Sequence, residues 1–285
     1  MSLISARVAA ARERLRAAGI PPDEADLDGR LLAEHILGWD AAQYLTHANE
    51  EEPEGFAEGF EPLVARRVLR EPTAYLVGRR EFCGFEFHVT PAVLIPRPET
   101  EAIVEAALAA FSRASGPLDI ADVGTGSGCL AVSLARERPA ARIVATDLSS
   151  EALDIARLNA RRLGVASRVE LVETDLLNGV ERMFDLIVSN PPYVPERDRP
   201  QLQPEVRDYE PARALFAGDD GLSVIRRLVE QVPARLKPEG RLIFEFGFGQ
   251  ADGIRTLLSN TRSMVLLDLR RDLQGIPRVA IASAN

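Results

Sequence analysis

Apolar positions change rhythm twice along this chain. Over residues 1–75 they recur at helical spacing: Val8, Leu15, Leu31, Leu32, Ile36 and Leu37 stand with charges between them, which predicts amphipathic helices. Pro21-Pro22-Asp23 separates a first helix from a second. Gly38-Trp39-Asp40 closes the second, and Asp40 is placed to cap a third. The acidic turn Glu50-Glu51-Glu52-Pro53-Glu54 precedes a further helix, about Phe56 to Leu69. Residues 79–96 alternate instead. Arg80-Glu81-Phe82-Cys83-Gly84-Phe85-Glu86-Phe87-His88-Val89 reads as a β-hairpin or bent strand around its glycine. Pro96-Arg97-Pro98-Glu99-Thr100-Glu101 then forms a stiff loop that enters a helix at Glu101.

From about residue 118 strands and helices alternate. Strands are expected at Leu118–Val123, Arg142–Thr146, Val169–Glu173, Phe184–Ser189, Arg241–Phe246, Val265–Leu269 and Arg278–Ala282. Such alternation implies an α/β fold with a mainly parallel sheet covered on both faces. Ligands of such sheets bind beyond the carboxyl ends of the strands.

The composition, 46% hydrophobic and 27% charged, is that of a globular protein. The 285 residues suit one large domain plus a small one. No apolar stretch approaches the roughly 18 residues that span a bilayer, and the first residues lack a signal-peptide core. The two cysteines, Cys83 and Cys129, have no disulfide or zinc spacing, so a reducing cytoplasm is expected, and the three histidines, His35, His47 and His88, have no metal spacing. The net charge of −9 argues against broad attraction to nucleic acid. Residues 1–78 carry eight basic and fourteen acidic side chains.

The candidate chemistry lies at the strand ends. Gly124-Thr125-Gly126-Ser127-Gly128 follows the first strand of the sheet and opens a helix. Its spacing is neither the dinucleotide fingerprint nor a phosphate loop. Asp147 ends the second strand, where it can accept from both hydroxyls of a ribose or act with Ser149 at a helix N-cap. The third strand leads to Asp175-Leu176. Asp175 can accept from an adenine amino group or stand solvated in its loop. Together the three positions describe a nucleoside cofactor without pyrophosphate, and S-adenosyl-L-methionine fits that description better than NAD. After the fourth strand comes Asn190-Pro191-Pro192-Tyr193. Two prolines stop the strand in a rigid corner. There the Asn190 side-chain oxygen and the Pro191 carbonyl can accept both N–H groups of a planar amide or amino group, with Tyr193 packed beside it.

These residues resemble class I, Rossmann-like methyltransferases, whose sheet has seven strands with the last antiparallel. Three further stretches narrow the resemblance: Tyr75-Leu76-Val77-Gly78 with Glu81–Phe87, Val93-Leu94-Ile95-Pro96-Arg97-Pro98-Glu99-Thr100-Glu101, and Arg271-Asp272-Leu273-Gln274-Gly275-Ile276-Pro277-Arg278. With the glycine loop and Asn190–Tyr193 they resemble the HemK-type release factor glutamine methyltransferases over nearly the whole chain. That resemblance implies a helical substrate-docking domain over residues 1–76, a β-hairpin linker over 77–97 and a methyltransferase domain over 98–285. It implies N5-methylation of the glutamine in the Gly-Gly-Gln loop of class I peptide chain release factors. Arg97 and Pro192 are then expected to help wall the glutamine slot. Phe82 either lines the cofactor site or is buried. The chain departs from some members at Leu176, where an aromatic residue can cover the adenine. Nucleic-acid amino-methyltransferases share the acceptor motif but call for a basic surface or a target-recognition domain. Ribosomal-protein glutamine methyltransferases are a nearer alternative.

Overall fold

The computed structural model describes residues 2–112, 116–272 and 274–285, so Leu273 of the third resembling stretch lies outside the described residues. The chain divides into two compact units, one of residues 1–79 and 203–209, the other of 80–202 and 210–285.

The first unit is helical: α1 (Ile4–Ala17), α2 (Pro22–Leu37), α3 (Ala41–His47), α4 (Phe56–Val68) and α5 (Thr73–Val77). Local chemistry sets the boundaries. Pro22 occupies the first turn of α2, where its missing N–H costs nothing, and Gly38 ends that helix in the left-handed region. Asp40 caps α3 in a reciprocal capping box with Gln43. Val8, Leu15, Leu32, Phe56, Phe60 and Val64 fill the core. Phe56 and Phe60 stack with ring centroids 5.1 Å apart. Arg67 is buried, and its guanidinium donates to Asp28 (2.7 Å) and Glu205 (2.8 Å). Glu205 lies on α9 (Pro204–Tyr209), the segment from much later in the chain that groups with these helices. Arg70 donates to the same carboxylate.

The second unit opens with a hairpin that begins at its boundary, β1 (Arg79–Phe82) and β2 (Phe85–His88). Cys83 and Gly84 both have positive φ, the signature of a two-residue hairpin turn. Phe82 is buried and meets Phe87 edge-on, so burial is its role. A 3₁₀ turn at Pro98–Thr100 leads into α6 (Glu101–Ala110). Then follow β3 (Asp119–Val123), α7 (Cys129–Glu137), β4 (Arg142–Asp147), α8 (Ser150–Arg162), β5 (Val169–Glu173) and β6 (Phe184–Ser189). After α9 come α10 (Ser223–Gln231), β7 (Leu236–Glu245), α11 (Ala251–Asn260), β8 (Met264–Arg271) and β9 (Pro277–Ala284).

The seven-stranded sheet has the order β5-β4-β3-β6-β7-β9-β8. The strands from β5 to β7 are parallel, and β9 runs antiparallel between β7 and β8. Alternate residues serve opposite cores. Ile120, Leu186, Val188 and Ile243 join one cluster, while Ala121, Ile187, Leu242 and Phe244 join the other. The strand order reverses direction at β3, which has β4 on one side and β6 on the other. A crevice opens beyond the carboxyl ends of strands at such a switch point. Among the described residues no helix is long and apolar enough to cross a membrane.

Candidate functional site

The glycine loop leaves β3 with Gly124, Gly126 and Gly128 all at positive φ, which lets five residues turn directly into α7. Gly124 and Thr125 donate their N–H groups to the Thr146 carbonyl at 2.8 and 2.9 Å, which ties the loop to β4. Asp122 braces it from beneath. One carboxylate oxygen accepts the Thr125 hydroxyl (2.6 Å) and the Ala131 N–H (3.0 Å). The other has no partner, and complete burial pushes the Asp122 pKa up to about 7.

Asp147 ends β4 with both oxygens oriented. One accepts the Gly126 N–H and the other the Ser149 N–H, each at 2.9 Å. Capping of α8 falls to Ser149, which accepts from Ala152 at 3.3 Å. The Asp147 carboxylate is thus fixed at the loop and retains lone pairs for further donors. At the third strand end, Asp175 is ion-paired to Arg227, and Leu176 has a φ of 55°. The glycine loop residues Gly124, Thr125, Gly126 and Ser127 line one cavity with Asp147, Leu148, Asp175, Leu176, Asn190 and Pro192. That cavity has a volume of about 210 Å³. Gly128 lies behind it, where an added Cβ would press on the α8 backbone at Ala156, 3.2 Å away. Cys129 also lines the cavity, and burial raises its thiol to about 12, which leaves it unreactive.

The acceptor motif is held on three sides. The Ser189 hydroxyl donates to the Val123 carbonyl at 2.7 Å, pinning the end of β6 to β3. The Asn190 amide NH₂ donates to the Thr100 hydroxyl oxygen at 2.9 Å. Thr100 donates in turn to Glu245 (2.7 Å), and Tyr193 donates to the second oxygen of the same carboxylate (2.8 Å). Glu245 ends β7 fully buried, and burial raises its pKa. Burial and the neighbouring Glu245 also hold the Tyr193 phenol well above its ordinary range. Within the described residues no hydrogen bond reaches the Asn190 side-chain oxygen or the Pro191 carbonyl.

The structure therefore brings together Gly124, Thr125, Gly126 and Ser127 of the glycine loop with Asp147, Asp175, Leu176, Asn190 and Pro192 around one cavity. Four predicted residues stand elsewhere, Gly128 behind the loop being the first. Pro191 is buried behind the lining. The Tyr193 hydroxyl is engaged with Glu245, and its ring packs against the core. The Arg97 guanidinium is paired with Glu210, whose carboxylate also accepts the Ile95 N–H at 3.2 Å. Thr100 and Glu245 were missed as site residues. Glu245 had a readable signal: it is the one acid in the apolar run Leu242-Ile243-Phe244-Glu245-Phe246. Among the described residues, no group of His, Cys, Asp and Glu could hold a metal ion.

Comparison with known proteins gives the family of the chain. Residues 105–204 match the methyltransferase small domain family, and residues 8–78 match the PrmC N-terminal domain family. The release factor glutamine methyltransferase of Koribacter versatilis is 41% identical, with 95% of each chain covered. That of Bradyrhizobium diazoefficiens is 43% identical over 94% of this chain and 91% of its own. That of Geobacter sulfurreducens reaches 50% identity over 70% of this chain and 69% of its own. Among solved structures, the catalytic domain of hMettl16 aligns with a TM-score of 0.56 at 16% identity, covering 77% of this chain and 81% of its own. The Thermus thermophilus 16S rRNA methyltransferase RsmC aligns with a TM-score of 0.51 at 18% identity, covering 72% and 48%. At these identities the two structures speak for the fold alone.

Proposed function

Because the chain belongs to the release factor glutamine methyltransferase family, we propose that it methylates the side-chain N5 of the glutamine in the Gly-Gly-Gln motif of class I peptide chain release factors. The observation that carries this reading is the Asn190 side chain, which lines the cavity with its NH₂ engaged by Thr100 and its oxygen without a protein donor, opposite an oriented ribose-type acid.

The residues fit S-adenosyl-L-methionine. Asp147 keeps lone pairs for two ribose hydroxyls, and added Cβ atoms at Gly124 and Gly126 would meet no protein atom within 4 Å, so the backbone there can be approached closely. Asp175, held by Arg227, and Leu176 form the adenine end, with Leu176 giving an apolar cover in place of an aromatic one. The cofactor supplies a methyl group on a sulfonium and leaves as S-adenosyl-L-homocysteine.

The chain itself supplies position. An amide nitrogen is a weak nucleophile because its lone pair is delocalised into the carbonyl. Asn190 and Pro191 each accept one N–H, which turns the nitrogen toward the donor and rejects side chains lacking two N–H groups. Orientation of this kind contributes up to about 7–11 kcal/mol in favourable intramolecular cases. No strong base is needed beforehand, because the nitrogen becomes acidic only as its new bond forms. Pro192 walls the slot, and Tyr193 holds the corner through Glu245. Arg97, fixed on Glu210, stiffens the proline segment at the slot entrance.

The helical residues 1–76 serve as the docking domain, residues 77–97 as the linker and 98–285 as the transferase. The acidic excess over residues 1–78 suits a locally basic protein partner rather than nucleic acid. An association rate that did not change with salt would remove that part of the reading. The protein is expected to work in the cytoplasm, where release factors act.

The test is a methyl-transfer assay offering a class I release factor, its Gly-Gly-Gln Gln→Ala variant, a ribosomal protein and duplex DNA. Transfer to the intact release factor alone is expected. Transfer to DNA or the ribosomal protein but not to the release factor would overturn the proposal. Asn190→Ala should abolish turnover while leaving S-adenosyl-L-homocysteine binding within about twofold, since the residue touches the acceptor more than the donor.

A further inference from the structure

A primary amide can be turned end for end at almost no steric cost, exchanging its oxygen for its NH₂. An Asn190 turned the wrong way would offer two donors to a substrate amide that also needs acceptors. Something must hold it. The structure contains a one-way chain of hydrogen bonds that does so. Burial raises the Glu245 pKa, but the Thr100 and Tyr193 hydroxyls, one on each oxygen, pull it back towards the ionised form, and an ionised carboxylate can only accept. It takes the Thr100 proton at 2.7 Å and the Tyr193 proton at 2.8 Å. With its proton committed, the Thr100 oxygen has only lone pairs left for Asn190, 2.9 Å away. Asn190 must therefore meet Thr100 with its NH₂, and its oxygen points to the other side.

A second observation concerns Thr100 itself. It closes the 3₁₀ turn Pro98–Thr100 in helical backbone geometry, and its hydroxyl makes no helix-capping bond; its partners are Glu245 and Asn190. Thr100 and Glu245 are each only 2% exposed, so water does not compete for either.

We propose that Thr100 and Glu245 are positioning residues that lock the Asn190 amide in the acceptor orientation, and that they thereby enforce selection of a glutamine over a glutamate side chain. This rests on the amide-clamp reading above. With the lock in place the slot presents acceptors, which repel a carboxylate. Without it Asn190 rotates, presents its NH₂ and tolerates the carboxylate.

The experiment uses the full chain with Thr100→Val, which is close in shape but has no hydroxyl, and Thr100→Ser, which restores it. Each is assayed for kcat and KM with the release factor, for S-adenosyl-L-homocysteine binding, and for inhibition by a release factor whose Gly-Gly-Gln glutamine is changed to glutamate. For Thr100→Val, kcat should fall about tenfold or more, and the glutamate-bearing factor should inhibit about tenfold better relative to wild type, as loss of one oriented hydrogen bond predicts. Cofactor binding should change little, and Thr100→Ser should recover most of both effects. Unchanged kcat and inhibition in Thr100→Val, or a Thr100→Ser variant as impaired as Thr100→Val, would overturn the inference. If Thr100→Val does not fold, Glu245→Gln provides the same readouts. Its amide can donate to Thr100, which frees the threonine proton to bond the Asn190 oxygen and turns the amide over. A Glu245→Gln enzyme with unaltered discrimination would overturn the inference equally. A wild-type enzyme that does not methylate the release factor would instead defeat the functional reading on which it rests.

Discussion

Asp122 and Glu245 are buried carboxylates near the ends of β3 and β7, and both carry raised pKa values because burial disfavours their charge. The consequence for stability has a definite sign. For Asp122 the unfolded chain ionises near pH 4, as an ordinary aspartate does, while the folded protein holds its proton up to about 7. The contribution to stability is therefore full below about pH 4 and is lost as pH rises towards 7. Asp122→Asn has nothing to titrate there. Its stability relative to wild type should rise from pH 4 to pH 7, by at most about 4 kcal/mol, and then level off. Thermal melts of both proteins across that range test this, and a gap independent of pH would contradict it. At this scale the sequence was legible where a motif places a residue at a strand end. Asp147 and Asn190 are found where the strand pattern put them. Residues acting through other residues were not legible. Thr100 and Glu245 lie 145 positions apart, and only the sheet brings them together.

Elements show where local signals suffice and where pairing decides. The helices α2 and α3 follow their proline, glycine and cap closely, because those signals are local. β7 begins at Leu236, several residues before the expected Arg241, although Pro238 and Gly240 signal a turn. It pairs with β6 at Phe184↔Leu236 and resumes at Leu186↔Arg241, so residues 237–240 bulge from the ladder, with Glu239 at a φ of 64°, and the bend that Pro238 and Gly240 favour is accommodated within the strand. The connection after the acceptor motif carries the sharpest constraint. Gly221 has a φ of +75°, and an added Cβ would lie 2.2 Å from the Tyr193 carbonyl oxygen and 2.6 Å from the Gln250 amide nitrogen. Gln250 donates to that same carbonyl at 2.9 Å and so supports the corner from behind. Gly221→Ala should cost on the order of 2–4 kcal/mol and depress kcat, since strain and a lost hydrogen bond add. Gly38→Ala is the control: its φ is also positive, but no atom lies within 4 Å, so about 1 kcal/mol of backbone strain and normal turnover are expected. Urea denaturation of both variants makes the comparison, and equal costs would refute the steric argument.

For the whole molecule, alternation of strand and helix made the α/β class legible, and the seven-stranded sheet follows it. The grouping of residues 203–209 with the helical unit was not legible, because no local pattern marks a segment that joins helices more than 130 positions away. Arg67 fastens that segment by holding Glu205 together with Asp28. Arg67→Ala leaves buried Asp28 without its cation and Glu205 with Arg70 alone, and should cost about 3 kcal/mol. Cleavage within 203–209 by a probing protease should accelerate in that variant, and an unchanged cleavage rate would sink the idea. The pinning of Ser189 to Val123 has a further consequence. β3 and β6 are adjacent, so the loop that would hold the methyl donor and the corner that would hold its acceptor are one inter-strand step apart, about 4.8 Å. That step works as a ruler set by backbone hydrogen bonds, and side-chain exchange cannot lengthen it. A protein built on it should transfer a single carbon readily and handle synthetic donors with longer alkyl groups poorly.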